Sequence, residues 1–340
     1  MLESSGSTLS NESRLVDGFG RRITYVRLSV TDRCDLRCRY CMAEDMTFLP
    51  RHELLSIEEL ARLGAAFTEL GVHKIRVTGG EPLIRQGVVK LMAALGRLRG
   101  LKELCLTTNA THLRRYAKAL KDAGVTRVNI SLDSLRPERF RHLTRHGDLP
   151  QVLDGIRAAQ EAGFERIKLN CVALKNYNAD EAPELVRFAL DEGLDISFIE
   201  EMPLGKITDH GRAAEFVSSQ QLRASIEQAL PLQRSDHDSG GPARYWQVPG
   251  YGSRIGFISP HSENFCASCN RVRVTATGRL LLCLGQENSV DLRAPLREHD
   301  GTEQVRKVID AAMAQKPKEH DFTQQQDEPK ILRFMNASGG

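Results

Sequence analysis

The run Lys74-Ile75-Arg76-Val77-Thr78-Gly79-Gly80-Glu81-Pro82 holds the plan of the fold in nine residues. Alternate side chains of a strand point to opposite faces. Lys74, Arg76 and Thr78 therefore share one face, and Ile75 and Val77 the other. One face is polar and cationic, while the other suits burial under a helix. The Gly79-Gly80 pair ends the strand and permits close backbone approach and unusual φ values. In α/β sheets that end of the strand is where ligands bind.

The same pattern recurs outward from this run. Strands are expected at 23–30, 74–79, 103–109, 127–133, 166–173 and 195–200, with amphipathic helices between them. One helix opens on a capping box, Ser56 with Glu59, and carries Leu60, Leu63, Phe67 and Leu70 on one face. Another shows Val88, Met92, Leu95 and Leu98. Alternating β and α units imply a parallel sheet with right-handed crossovers, either a barrel or a doubly wound sheet.

Strand parity decides between these. Tyr25, Arg27 and Ser29 share a face, as do Cys105, Thr107 and Asn109, then Asn129, Ser131 and Asp133, then Lys168 and Asn170. The opposite face is mostly Val, Ile and Leu. A closed eight-stranded barrel fills its interior with branched apolar side chains. A polar, cationic interior is costly to bury without partners, so this face must line a wet or ligand-filled cavity. The expected fold is α/β, an incomplete (βα)6 TIM-like barrel with a smaller C-terminal α+β extension. The expected boundaries are a flexible Ser- and Asn-rich start at 1–13, the partial barrel at 14–230, and the extension at 231–340. Ser235–Pro242 reads as a loop, and a helix is expected around 302–315.

The bulk composition excludes several classes. The 340 residues carry 47 basic and 44 acidic side chains, a net charge of +3 too balanced for a nucleic-acid or membrane surface. No apolar run approaches the ~20 residues that span a bilayer, and no signal-peptide core is present. Eight cysteines in that context point to a reducing cytoplasm, where clustered thiols are metal ligands more often than disulfides.

Six of the eight cysteines fall into two tight sets. Cys34, Cys38 and Cys41 lie in Cys34-Asp35-Leu36-Arg37-Cys38-Arg39-Tyr40-Cys41, directly after the first expected strand. A fully ligated [4Fe–4S] centre takes four thiolates. Three leave one iron open to a small molecule, as a catalytic metal site requires. The second set is Cys266, Cys269 and Cys283, with the alternating segment 271–282 between its members turning near Gly278. A hairpin there returns Cys283 to Cys269. A second cluster with its own open iron is the preferred reading, and zinc with a distant fourth ligand is the alternative. Arg27, Lys74, Arg76, Lys168, Arg271 and Arg273 form a convergent basic set that suits an anionic ligand such as a nucleoside polyphosphate. His142 and His146 read as a solvated helix face, and Cys171 as a core residue.

The three-cysteine loop with Tyr40 before its last thiol, and the Gly79-Gly80-Glu81-Pro82 turn, resemble the radical S-adenosylmethionine enzymes. The second triad in Phe265-Cys266-Ala267-Ser268-Cys269-Asn270-Arg271-Val272-Arg273, the later Cys283 and the terminal Gly339-Gly340 narrow the resemblance to the GTP 3′,8-cyclase family of molybdenum cofactor biosynthesis.

That resemblance implies two [4Fe–4S] clusters, with S-adenosylmethionine on the open iron held by Cys34, Cys38 and Cys41. Tyr40, Gly80, Ser131 and Met202 match positions that contact this cofactor. GTP is implied between the clusters, touched by Arg27, Arg76, Thr107, Lys168, Arg271 and Arg273, with Lys74 in addition. Its purine would meet the open iron of Cys266, Cys269 and Cys283, and the Gly339-Gly340 tail would thread into the site. One-electron cleavage of the sulfonium would release a 5′-deoxyadenosyl radical that takes H3′ from the ribose, after which C3′ attacks C8 of guanine. The resemblance also implies an electron donor of the flavodoxin or ferredoxin type and a downstream cyclic pyranopterin monophosphate synthase. It implies neither membrane nor nucleic acid as a partner, and a monomer or homodimer.

One departure stands out. The family often carries Arg just before Phe-Ile-Glu in the sixth strand, where this chain has Ser197. The rival enzymes are peptide- or porphyrin-modifying radical proteins with auxiliary clusters. The rival from another class is a zinc-binding interaction or nucleic-acid module, which predicts a basic surface stripe that the charge balance does not support.

Overall fold

One sheet organises the chain in the computed structural model, which describes residues 15–207, 211–320, 322 and 329–339. The first six strands are β1 (Tyr25–Ser29), β2 (Lys74–Thr78), β3 (Glu103–Thr108), β4 (Arg127–Ser131), β5 (Arg166–Ala173) and β6 (Asp195–Glu200). They pair in sequence order, all parallel, within a few residues of the expected bounds. The intervening helices are α1 (Ile57–Glu69), α2 (Val88–Gly96), α3 (Leu113–Asp122), α4 (Pro137–Thr144), α5 (Leu149–Glu161) and α6 (Ala182–Asp191).

The later strands are β7 (Gln233–Ser235), β8 (Arg244–Gln247), β9 (Arg254–Ile258), β10 (Arg271–Val274), β11 (Arg279–Leu281) and β12 (Ser289–Asp291). They extend both edges of the same sheet. β9 lies parallel beside β6, and β10 parallel beside β1. The parallel array is thus two strands wider than the six βα units expected. The order runs β12-β11-β10-β1-β2-β3-β4-β5-β6-β9-β8-β7, and the end strands do not pair, so the sheet is not closed. The 271–282 segment is the expected hairpin, with Arg273 opposite Leu281 and Gly278 at φ +87° in its turn.

The apolar parity builds the core. Val26, Leu28, Ile75, Val77, Leu104, Leu106, Val128, Ile130 and Leu169 join Leu60, Leu63, Phe67 and Met92 from the covering helices, all essentially excluded from water. Each such side chain contributes roughly 1.5–3 kcal/mol on burial. The capping box at α1 forms as expected: Glu59 N donates to Ser56 Oγ at 3.1 Å, and Ser56 N donates to Glu59 Oε2 at 2.6 Å. Removing the Ser56 hydroxyl costs ~1 kcal/mol. Cys171 sits in the core as expected. The helix read through His146 stops at Thr144, where Arg145 turns to φ +63°. His142 stacks on Tyr177 instead of aligning with His146. Residues 1–13, expected to be a flexible start, lie outside the described residues.

Candidate active site

The loop after β1 is seated on the Gly79-Gly80 turn. Gly80 N donates to Thr31 O at 2.8 Å, and Glu81 N to Arg33 O at 2.8 Å. A Cβ on Gly80 would stand 2.3 Å from Arg33 O, so only glycine lets the two loops approach this closely. Buried Glu81 accepts from Leu83 N at 2.9 Å, Thr108 Oγ1 at 2.8 Å and Asn109 N at 2.7 Å. Burial pushes its carboxyl up to about 8 even against those donors. Asn109 Nδ2 and Thr111 Oγ1 in turn donate to Asp35, at 2.7 and 2.6 Å. The ends of β1, β2 and β3 are locked around the cysteine loop.

Cys34, Cys38 and Cys41 face one cavity of about 270 Å³. Burial raises the Cys38 thiol well above its ordinary value and pushes Cys41 up to about 12. Such thiols become thiolates only when a metal takes the charge, so this donor set fits an iron–sulfur cluster. Tyr40, Gly80, Ser131 and Met202 line the same cavity. Tyr40 Oη donates to Asp133 Oδ2 at 2.7 Å, while Val172 N donates to Asp133 Oδ1 at 2.9 Å. Burial, partly offset by these donors, lifts Asp133 to about 6.

The cavity floor consists of charges in register. Arg271, Tyr25, Lys74 and Glu103 occupy one level on β10, β1, β2 and β3, and Arg273, Arg27, Arg76 and Cys105 occupy the next level used on that face. Adjacent strands are only ~4.8 Å apart. Burial and the neighbouring guanidiniums lower Arg27 to about 10 and Arg273 well below its ordinary value. Tyr25 relieves part of this crowding: Arg76 Nε donates to its hydroxyl at 2.5 Å, and Lys74 Nζ lies 5.2 Å from its ring centroid. Glu103 pairs with Lys74 at 2.7 Å and Arg127 at 3.2 Å. Among the described residues no carboxylate lies in salt-bridge contact with Arg76, Lys168, Arg271 or Arg273. Like charges so placed favour a polyanion between them.

Arg76 Nη1 donates to Thr107 Oγ1 at 3.3 Å. Lys168 Nζ donates to Tyr245 Oη at 3.1 Å, and Tyr245 Oη to Ser239 Oγ at 3.0 Å. Lys74 Nζ reaches Ser239 O at 2.9 Å, so the loop before β8 folds over the cationic end. Ser197 is fully buried, its Oγ has no hydrogen-bond partner, and Gly256 of β9 packs against it. No cation stands at that position.

Cys266, Cys269 and Cys283 line the opposite end of this cavity. Cys269 N donates to Cys266 O at 3.1 Å, and the β10–β11 hairpin carries Cys283 back to them. Burial raises the Cys266 and Cys283 thiols, whereas Arg271 and Lys316 overcome burial to lower Cys269. Three thiols sharing one lining, with cations beside them, also suit an iron–sulfur cluster.

The C-terminal segment enters between the two triads. Met335 N donates to Cys41 O at 3.3 Å, and Asn336 Nδ2 to Asp32 O at 2.8 Å. Arg273 Nη1 donates to Ser338 O at 3.4 Å and also to Gly339 O. Gly339 has φ +76°, and a Cβ there would lie 2.0 Å from Thr78 Oγ1. Gly340 lies outside the described residues.

Every other residue singled out for the two triads, the cofactor and the nucleotide lines this cavity. Sequence reasoning missed Arg127, Tyr245 and Lys316. Arg127 has the parity of Asn129 and could have been found. Tyr245 and Lys316 come from segments without a βα pattern, and no local signal marks them.

Two family descriptions match the chain: the Radical SAM superfamily over residues 28–189 and Molybdenum Cofactor Synthesis C over 194–322. The chain is 59% identical to the GTP 3′,8-cyclase of Saccharophagus degradans over 96% of its own length and 99% of the relative's. It is 58% identical to GTP 3′,8-cyclase 2 of Pseudomonas aeruginosa, over 97% of this chain and all of the relative. Among solved structures, SuiB of Streptococcus suis bound to S-adenosylmethionine superposes with a TM-score of 0.63 at 15% identity, over 93% of this chain and 77% of that one. At that identity the likeness bears on the fold alone.

Proposed function

Because the chain belongs to the GTP 3′,8-cyclase family of radical S-adenosylmethionine enzymes, we propose that it joins C3′ to C8 within GTP. The product is (8S)-3′,8-cyclo-7,8-dihydroguanosine 5′-triphosphate, for molybdenum cofactor biosynthesis. The observation that carries this reading is the row Arg273–Arg27–Arg76, on a cavity floor with a cysteine triad at either end.

Cys34, Cys38 and Cys41 would hold a [4Fe–4S] cluster, which with bound S-adenosylmethionine would supply the one-electron chemistry that removes a hydrogen atom from the nucleotide. Tyr40, Gly80, Ser131 and Met202 are the residues to hold that cofactor. Gly80 serves it by letting the Asp32–Arg33 backbone close onto the turn and seat the cysteine loop, and Tyr40 by its hydrogen bond to Asp133. Arg27, Lys74, Arg76, Lys168 and Arg271 neutralise the triphosphate, and Thr107 orients Arg76. Arg273, facing the reacting ribose, and Cys34, Cys38 and Cys41 are the residues proposed as catalytic. Cys266, Cys269 and Cys283 would hold a second cluster at the purine end of the cavity, and Gly339 adds to the wall. Residues 14–230 form the proposed catalytic barrel and 231–340 the second-cluster part. No helix of the described residues is long and apolar enough to cross a membrane. The eight free thiols favour a reducing cytoplasm. The reading adds a reductant of the flavodoxin or ferredoxin type and a cyclic pyranopterin monophosphate synthase consuming the product.

Anaerobic reconstitution with iron and sulfide, followed by GTP, S-adenosylmethionine and a reductant, tests the reading. It predicts 5′-deoxyadenosine and a cyclised nucleotide in equal amounts. Cofactor cleavage with GTP left intact, despite two full clusters, would overturn the substrate assignment.

A further inference from the structure

Lys316 is only 3% exposed, although it lies beyond the last strand in a segment without regular structure. A buried ammonium persists only where its hydrogens are taken up. Here Nζ donates to Arg271 O at 3.0 Å and to Leu282 O at 2.6 Å, and lies 3.7 Å from Cys269 Sγ. The two carbonyls flank the second triad on either limb of the hairpin, so they fix the ammonium in place. Its remaining direction is toward sulfur.

The segment that carries Lys316 is fastened independently. Arg21 Nη1 donates to Cys266 O at 2.8 Å and Lys318 O at 2.7 Å, and its Nη2 donates to Pro317 O at 2.5 Å. The backbone N–H groups of His320 and Gly285 point to the sulfurs of Cys266 and Cys283. Each thiol of the second triad thus has a nitrogen donor, and one of those donors carries a full charge. The first triad also has nitrogen donors, Leu36 N at 3.4 Å and Asn109 Nδ2 at 3.8 Å from Cys34 Sγ, but the charge beside it is of the other sign: the Asp35 carboxylate lies 3.7 Å from that sulfur. Net charge and hydrogen bonds to sulfur are the main levers on an iron–sulfur potential.

We propose that Lys316 is a positioning residue that sets the charge state of a cluster on Cys266, Cys269 and Cys283, stabilising its reduced form. The inference rests on the two-cluster reading above. It gives the two triads opposite electrostatic settings within one cavity.

The test uses the full chain carrying C34A, C38A and C41A, so that only the second triad can hold a cluster. Iron content and the midpoint potential, followed by electron paramagnetic resonance, are compared with Lys316 intact, K316M and K316R. The expected result is the same iron content throughout, a midpoint moved to more negative potential in K316M, and a midpoint kept in K316R. Iron kept in K316R but lost in K316M also supports the proposal, since the charge is then needed even for assembly. An unmoved midpoint in K316M with full iron overturns the role of Lys316 alone, and iron lost in both variants reduces it to a structural staple. No iron with Lys316 intact overturns the second cluster itself, and the proposal with it.

Discussion

Arg273 Nη1 donates to the carbonyl oxygen of Gly339, which ties the end of the chain to a buried cation of the cavity floor. Arg273 also stands level with Arg27 on the neighbouring strand. The tail is therefore part of the wall around the nucleotide site, and its last described residue is fixed from two sides, by Arg273 and by the closeness of Thr78.

Gly339→Ala places a methyl 2.0 Å from Thr78 Oγ1 on a backbone at φ +76°. The left-handed conformation alone costs a non-glycine residue ~1 kcal/mol, and the clash adds to it. The tail should leave its seat. Cyclised product should fall about tenfold or more, while 5′-deoxyadenosine continues to form without GTP turnover. Product chromatography reads both, and an unchanged ratio would count against a role for the tail.

Arg273→Ala removes the tail's anchor and one cation of the row. Reductive cleavage of S-adenosylmethionine should persist, and cyclisation should fall at least about tenfold, equivalent to roughly 1.4 kcal/mol of transition-state stabilisation. Single-turnover assays separate the two steps. Equal loss of both would instead indicate general disruption of the site.

Gly80→Ala drives a methyl against the backbone oxygens of Arg33, at 2.3 Å, and Asp32, at 2.8 Å. Those atoms hold the cysteine loop, so the first cluster should be lost and the second kept. Iron per chain should drop from about eight to about four. A value still near eight would show that the loop can yield.

Tyr25 supplies a pH signature. Burial alone would raise its phenol, but Arg76, Arg27 and Lys74 together bring it from 10.0 to about 8. Because the folded value lies below the unfolded one, the phenolate favours the folded state. That stability is fully present above about pH 10 and is lost as pH falls through about 8. Ultraviolet titration of the metal-free protein should show a tyrosinate midpoint near 8 that is absent in Y25F. GTP should move the midpoint upward, since its phosphates neutralise the same cations. A midpoint near 10 with and without GTP would contradict the cationic floor.

The first six strands were legible because a period of two is written into each, and Lys74, Arg76 and Thr78 reveal both faces at once. The cavity lining followed from the same parity. Strand β10 was legible as one limb of a hairpin, but its place beside β1 was not: the Arg27–Arg273 pairing joins residues far apart in sequence, and no local pattern records it. The placement of β9 beside β6 is hidden for the same reason. Tyr245, on the short strand β8, and Lys316, just past the last helical turn, act through contacts to residues far away in sequence, which composition and periodicity do not register. Ser197 was recognised as a missing cation, yet its tight packing against Gly256 appears only in three dimensions.

If the cavity presents the ribose of GTP to a hydrogen-abstracting radical, turnover of GTP deuterated at C3′ should leave one deuterium in the recovered 5′-deoxyadenosine, at a level matching the cyclised product. Deoxyadenosine free of deuterium, formed alongside converted GTP, would contradict it.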